Sequence, residues 1–281
     1  MNKSLLSVAG CLALIGFTFA GETTTKKIPS LTQDVKVEES SKNMEFRVGP
    51  AFNYADASIK AGRRAQGFNL SDIGFDDVSY GVKANFDWEF AKNLHWNTGF
   101  NWLNFNQSGN LDKDITWGSG NTLLKGSHLT SDIQIYQLDT KIGYDVYKNQ
   151  TVRFMPYIGL NGVYADGKVA ATSGSQRREQ GVVSVIDQKK SYDVSQAYGN
   201  YVVGFETEFR IIKPLYLGFD FGGYHMGDFF GGVAKGYVGY DINETWTIRT
   251  GLDSQYVNFD RGVVKADGFS NTAYAQLGVK F

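Results

Sequence analysis

From residue 44 onward, hydrophobic and polar residues alternate along the chain with a period of two. The clearest stretch runs from Val78 to Phe90, where apolar residues occupy every second position and Ser, Gly, Lys, Asn, Asp or Glu the positions between them. Successive side chains of a β-strand point to opposite faces, and a tilted strand of about 9–11 residues crosses a bilayer. This stretch is therefore predicted to be a strand with one apolar and one polar face.

The same alternation recurs and predicts ten strands. They cover residues 44–54, 78–90, 94–105, 133–146, 152–165, 198–211, 215–225, 233–242, 246–257 and 271–281. Short turns alternate with long connections at residues 55–77, 106–132, 166–196 and 258–270. Only residues 226–231 make a short connection on the long-loop side. Short turns on one rim and long loops on the other are typical of membrane barrels. We predict an all-β, transmembrane, antiparallel up-and-down barrel over residues 44–281 with ten strands, and eight or twelve strands are the alternatives.

Aromatic residues collect at both ends of the predicted strands. The turn end carries Trp88, Phe90, Trp96, Tyr144, Phe154, Phe209, Tyr240, Trp246 and Phe281. The loop end carries Tyr54, Tyr80, Trp102, Tyr136, Tyr164, Tyr201 and Tyr256. Aromatic belts of this kind mark the two lipid–water interfaces, so the apolar face is predicted to contact lipid.

The polar face carries too many charges to pack as the core of a soluble sandwich. In a barrel this narrow, interior side chains can fill the lumen. The predicted lumen charges are Arg47, Lys83, Asp87, Glu89, Asp139, Lys141, Arg153, Glu206, Glu208, Arg210, Asp220, Lys235, Asp241, Arg249 and Asp253, with Glu45, Asp145 and Lys280 beside them. Ten acids thus face eight bases, which predicts a salt-bridged plug; a narrow ion path is the alternative.

The N-terminus has the three parts of a secretory signal peptide. Lys3 supplies the positive charge, an apolar stretch follows, and Thr18-Phe19-Ala20 offers a cleavage site. We expect residues 1–20 to be removed and residues 21–43 to form a polar periplasmic extension. Val8-Ala9-Gly10-Cys11 also resembles a lipoprotein box, but cleavage there would leave a short signal and an apolar run on the mature chain.

Two segments resemble those of known outer-membrane proteins. The C-terminal AYAQLGVKF is similar to the terminal β-signal of Gram-negative outer-membrane barrels. The assembly-signal residues are Tyr274, Leu277, Val279 and Phe281. The last three alternate in one row with Ala273 and Ala275, and Tyr274 falls on the opposite face. FMPYIGLNGVY, residues 154–164, looks like a strand of small opacity-like barrels. The resemblance implies a location in the cell outer membrane and recognition by the barrel-assembly machinery.

Candidate chemistry lies at the loop rim. Omptin-type surface proteases use paired acids and an Asp-His pair there, and this chain offers Asp76 with Asp77 and His225 with Asp228. A histidine oriented by a carboxylate can activate water. The surrounding sequence is not omptin-like, so we expect no enzymatic activity. No phosphate loop or His/Cys cluster is present, and we expect neither cofactor nor metal.

The net charge of -1 argues against nucleic-acid binding. The basic pairs Arg63-Arg64, Arg177-Arg178 and Lys189-Lys190 fall in loops where lipopolysaccharide phosphates or a host glycan could reach them. We predict a monomeric barrel with a structural or surface-interaction role, surrounded by outer-membrane lipids and lipopolysaccharide, with an unknown extracellular ligand. A porin-like passive channel is the first alternative and a rim hydrolase the second. Pro50 and Pro156 fall inside predicted strands, where we expect bulges or bends.

Overall fold

The computed structural model describes residues 43–61, 68–69, 72, 78–117, 121–177, 183–186, 190–226, 229–261 and 264–281. The predicted signal peptide, and all of the polar extension except Asn43, lie outside these residues. No helix among the described residues is long and apolar enough to cross a membrane.

Ten long strands carry the fold, as predicted. They are β1 (Met44–Ala61), β2 (Val78–Ala91), β3 (Leu94–Asn110), β4 (His128–Tyr144), β5 (Val152–Arg177), β6 (Lys190–Ile212), β7 (Leu215–Met226), β8 (Phe229–Asp241), β9 (Trp246–Arg261) and β10 (Val264–Lys280). Five short strands accompany them at Phe68–Asn69, Ile115–Trp117, Asn121–Leu123, Tyr147–Lys148 and Val183–Ile186.

The ten strands close into a ring. Each pairs antiparallel with the strands before and after it, and β10 returns to pair with β1 from Glu45↔Lys280 to Ala61↔Val264. A closed ring leaves no strand edge within the wall, so its backbone polar groups are satisfied without water.

The burial pattern is that of a barrel in lipid. Apolar residues on the outer face are exposed, for example Ile158 at 68% and Val203 at 61%. Polar residues on the inner face are buried, for example Arg47 at 1% and Asp253 at 2%. An exposed apolar band around a polar interior places the wall in hydrocarbon.

The two strand prolines differ from expectation. No register shift occurs at Pro50 or Pro156. Pairing of β1 with β10 is interrupted around Pro50 and resumes at Ala51↔Tyr274 in the same register. Pro156 lies just beyond the last β4–β5 pair, Gly143↔Tyr157. The expected bulges are therefore absent, because flanking pairs hold the register where each proline lacks a donor.

The largest departure from the predicted boundaries lies in residues 166–196, expected to be a loop. Here β5 continues to Arg177 and β6 begins at Lys190, so much of this segment is a tall hairpin. Three short strands join it as a small sheet: Val183–Ile186 and Asn121–Leu123 pair with the end of β5, and Ile115–Trp117 pairs with Asn121–Leu123. We call this the loop-end lobe. Its core consists of Leu111, Ile115, Leu123, Leu129, Ala171 and Ile186, all buried.

Candidate functional site

The candidate site is the lumen, and its centre is an ion-pair cluster on five strands. Lys141 Nζ on β4 lies 2.8 Å from Glu206 Oε2 on β6 and 2.8 Å from Asp220 Oδ2 on β7. Arg153 on β5 also pairs with Glu206. Lys235 on β8 lies 3.9 Å from Asp220. The cluster therefore crosses the lumen and joins strands that are not neighbours in the ring.

A second cluster lies against β1, β2 and β9. Arg47 pairs with Glu45 at 2.5 Å and also with Asp87. Glu45 accepts a hydrogen bond from Thr247 Oγ1 at 2.7 Å. Lys83 pairs with Asp253, and both side chains are buried. These contacts fix β1 to β2 and β9 through the interior of the barrel.

Further pairs close the turn end of the lumen. Asp241 Oδ1 accepts a hydrogen bond from Lys280 Nζ at 2.7 Å, and its Oδ2 accepts one from Arg210 Nη1 at 3.1 Å. His95 Nε2 and Asp145 Oδ2 are 2.8 Å apart and buried. Each of the ten inward acids has a cationic or histidine nitrogen within 4.0 Å. Each inward acid is therefore paired in place, and several cations are shared between two acids.

Inward tyrosines fill much of the remaining space, and each stands opposite a glycine of a neighbouring strand. The pairs are Tyr157 with Gly204, Tyr216 with Gly239, Tyr224 with Gly231, Tyr237 with Gly218 and Tyr274 with Gly251. All five tyrosines are buried. A glycine leaves room for an aromatic ring to lie across the strand, so each pair packs ring on backbone.

Strands β7 and β8 contain this arrangement twice in reciprocal form. A Cβ added at Gly218 would lie 1.9 Å from Tyr237, and one added at Gly239 would lie 2.1 Å from Tyr216. The two rings are 6.3 Å apart and nearly perpendicular. The Arg249 guanidinium lies 4.0 Å from the Tyr237 ring centroid. Its contact with the aromatic face takes the place of a carboxylate partner.

Two small cavities lie in the lumen. One cavity of about 70 Å³ lies among the ion pairs, with Lys141, Asp220 and Arg249 in its lining. A neighbouring cavity of about 20 Å³ lies against Tyr157 and Tyr224. These volumes hold on the order of a few water molecules. The described interior is thus a polar core with two small cavities.

All fifteen predicted lumen charges lie on described strands, on the inner side of the alternation. What the sequence reasoning missed is the apolar part of the filling: Met155, Tyr157, Val202, Tyr216, Tyr224, Val233 and Tyr237 are all buried. Their signal was present, since each occupies the same parity as the charges. Among the assembly-signal residues, Tyr274 is buried in the lumen, whereas Leu277 and Phe281 are exposed on the outer face.

The proposed hydrolase residues are not assembled by the described part of the chain. His225 alternates with the buried Tyr224 and lies exposed on the outer side of β7. Asp76, Asp77 and Asp228 lie outside the described residues, as do Arg63, Arg64, Arg178 and Lys189. Arg177 is exposed on the loop-end lobe.

One titratable contact joins two loops outside the wall. Asp72 Oδ2 accepts one hydrogen bond from the Asn69 backbone N–H at 2.7 Å and forms an ion pair with Lys113 Nζ at 2.6 Å. The Asn69 N–H first, and Lys113 second, hold the pKa of Asp72 below its ordinary value. The contact is therefore strongest when Asp72 is ionised.

Comparison with known proteins places the fold among solved structures. No protein-family model and no curated protein matches the sequence. Among solved structures, the chain is similar to the outer membrane protease OmpT from Escherichia coli, with TM-score 0.53, 12% identity, and coverage of 92% of this chain and 100% of that one. The chain has the outer-membrane β-barrel fold. The predicted strand number is confirmed by the ten strands of the structure, and the predicted location in the cell outer membrane agrees with this fold and with the exposed apolar wall.

Two further structures match this barrel less closely. The attachment invasion locus protein Ail of Yersinia pestis matches with TM-score 0.32 and 12% identity, over 84% of this chain and 98% of that one. Neisserial surface protein A matches with TM-score 0.31 and 12% identity, over 84% and 97%. At such identities the likeness to OmpT concerns the fold alone, because one barrel fold supports unrelated activities.

Proposed function

We propose that this outer-membrane barrel has a sealed, salt-bridged lumen and acts through its cell-surface face as a structural or surface-interaction protein. The observation that carries the proposal is the pairing of all ten inward acids, combined with buried tyrosines across the same lumen. A conducting pore needs a continuous wet path, whereas charges paired across the lumen and rings lying on glycines occupy that path.

Conductance in a planar bilayer tests the seal. Purified, refolded barrel is expected to give no steady single-channel openings, and a general porin in the same lipid is the positive control. A Tyr237→Ala variant tests whether the aromatic filling contributes, and its expected result is intermittent openings. Steady openings of the unaltered chain would overturn the sealed lumen and favour the porin-like channel.

The surface-interaction part is supported by the loop-end lobe. Its strands rise above the wall and pack on a core of their own, with Leu123 and Leu129 buried. Short loops would be enough to connect the strands of the same barrel. A loop region with its own hydrophobic core therefore favours a role in binding at the cell surface. We infer that the lobe presents a fixed surface to the exterior, with lipopolysaccharide around the wall below it.

We infer no enzymatic role. The supporting observation is the placement of His225, which lies exposed on the outer side of β7 instead of facing the mouth. Peptide hydrolysis by the refolded barrel tests this inference, with His225→Ala as the matched variant. An activity that disappears in this variant would establish the hydrolase alternative.

A further inference from the structure

The rim at the loop end is uneven. Strand β6 pairs with β7 only from Tyr201↔His225 toward the turn end, since β7 ends at Met226 and β8 begins at Phe229. Beyond that point, residues 190–197 of β6 pair with β5 alone among the described residues. Eight residues of strand extend roughly 26 Å at 3.3 Å each. Within the part of the chain that the structure describes, the edge of β6 that faces β7 is therefore open along this length.

The short strand Val183–Ile186 continues the same open edge. It pairs with β5 beyond the place where β6 begins, from Ile186↔Gly174 to Val183↔Arg177. It contains no charge and no proline. Natural sheet edges are usually protected by lysines, prolines or bulges, because an open edge pairs with other strands. This edge has none of these protections within its four residues.

Two exposed valines lie on this strand. Val183 is 53% exposed and Val185 is 73% exposed, whereas Ile186, at the end of the strand, is buried in the core of the lobe. Lipid does not cover these valines. Between the valines and the apolar band of the wall, the outer face carries Lys168 and Asp193, which are 71% and 81% exposed. The two valines thus give the open edge an apolar outer face beyond the lipid boundary.

The edge is fixed before any partner arrives. Ile186 packs with Leu123, Leu129 and Ala171 in the core of the lobe. A surface already held in its bound conformation loses less entropy on binding. The open edge is thus anchored to the core of the lobe through Ile186 and is already paired as a strand with β5.

Charge identifies one further requirement for the partner. Arg177 stands directly opposite Val183, is exposed, and forms no ion pair with a described residue. A strand added beyond Val183–Ile186 would lie two strand spacings from β5, about 9.6 Å. The combined reach of an arginine and a glutamate spans that distance.

We propose that the open edge, formed by Val183–Ile186 and residues 190–197, binds an extended segment of an extracellular partner protein as an additional β-strand. Main-chain hydrogen bonds supply the affinity, β-branched or other apolar side chains cover Val183 and Val185, and a carboxylate pairs with Arg177. This inference rests on the proposed surface-interaction function and names its partner chemistry.

Selection from a random nonapeptide display library tests the proposal, with the full chain in lipid nanodiscs as target and empty nanodiscs as control. Enriched peptides are expected to lack proline, to alternate β-branched residues and to carry an acid. Binding of the enriched peptide by fluorescence anisotropy is expected to weaken at least tenfold in Val185→Lys. It should remain unchanged in the matched control Ser108→Lys, an exposed site on β3 away from the edge.

Two further measurements separate the alternatives. Arg177→Glu is expected to weaken acidic peptides and to favour their lysine counterparts. N-methylation at alternate peptide positions is expected to abolish binding, since it removes main-chain donors. No enrichment, equal binding to Val185→Lys, or insensitivity to N-methylation would overturn the proposal. Dimers abolished by Val185→Lys would also overturn it, because a second copy would then occupy the edge. A barrel that binds no peptide yet stays non-conducting retains the sealed lumen and loses only the docking edge.

Discussion

Replacement of Gly239 by alanine tests the ring-on-glycine packing of the lumen. The added Cβ would lie 2.1 Å from Cζ of Tyr216, and contacts below 3.0 Å are essentially never seen for real Cβ atoms. The ring must therefore move by about 1 Å. Tyr216 is buried and has Tyr237, Arg210 and Arg249 around it, so it has no free side to move into. Overpacking of this kind costs about 1–3 kcal/mol.

A matched control lies three residues away on the same strand. An alanine at Gly236 would place its Cβ 3.8 Å from Phe219, an ordinary contact on the outer face. Gly236→Ala thus carries the same change in backbone entropy without the clash. The free energy of unfolding, measured by denaturant titration in lipid vesicles with tryptophan fluorescence, is expected to fall by about 1–3 kcal/mol for Gly239→Ala relative to Gly236→Ala.

A double-mutant cycle with Tyr216→Ala isolates the contact. The tyrosine truncation alone is expected to cost about 3–5 kcal/mol, the range for large aromatic truncations. The double variant should be destabilised by less than the sum, because the clash disappears with the ring. Additivity within about 0.5 kcal/mol, or equal stabilities of the two alanine variants, would refute the packing argument.

Three other outcomes are expected. Lys141→Met leaves the buried Glu206 with one fewer cation and should lower the free energy of unfolding by about 1–3 kcal/mol. Lys168→Met removes an exposed ion pair and should change the free energy of unfolding by less than about 1 kcal/mol. The same denaturant titration compares the two variants, and equal effects would contradict the buried network. The Asp72 contact should persist above the ordinary aspartate pKa of about 3.9 and weaken as pH falls below it; limited proteolysis of the loops should show this loss, and Asp72→Asn should remove the pH dependence. Leu123→Ala should raise amide exchange in the loop-end lobe by local unfolding while the heat-modifiable gel migration of the barrel stays intact; loss of that migration would contradict a separate core.

Sequence alone predicted the wall because one face of each strand must contact lipid. Strict alternation such as that of β2 follows from this requirement, and a change of parity would expose charge to hydrocarbon. The requirement ends at the membrane boundary. Above it, β5 and β6 have polar residues on the outer face, as Lys168 and Asp193 show. The hydropathy period disappears there, so the tall hairpin was predicted to be a loop.

The lumen was predictable in charge and not in shape. The parity rule placed Lys141, Glu206 and Asp220 on the inner face, but it gave no indication that they belong to one cluster, because strand stagger decides which level each side chain reaches. In the sequence pattern, the inward glycines are positions without a side chain to fill the lumen. Only the register shows that Tyr216 and Tyr237 lie across them.

The charged lumen has a physical reason independent of conduction. Buried ion pairs are no more stabilising than well-packed apolar residues, so paired charges add little to stability by themselves. They do specify the register. A slip of one residue in β2 would place Lys83, which lies between the belt residues Tyr80 and Trp88, in hydrocarbon, at a cost of about 2–4 kcal/mol near the bilayer midplane. A strand that is apolar on both faces would carry no such penalty and could pair in either sense. The inner charges therefore define which face meets lipid, and their pairing in the lumen removes the cost of burying them. The proposed sealed interior leaves the surface beyond the wall, with its open strand edge, as the part of the barrel available for recognition.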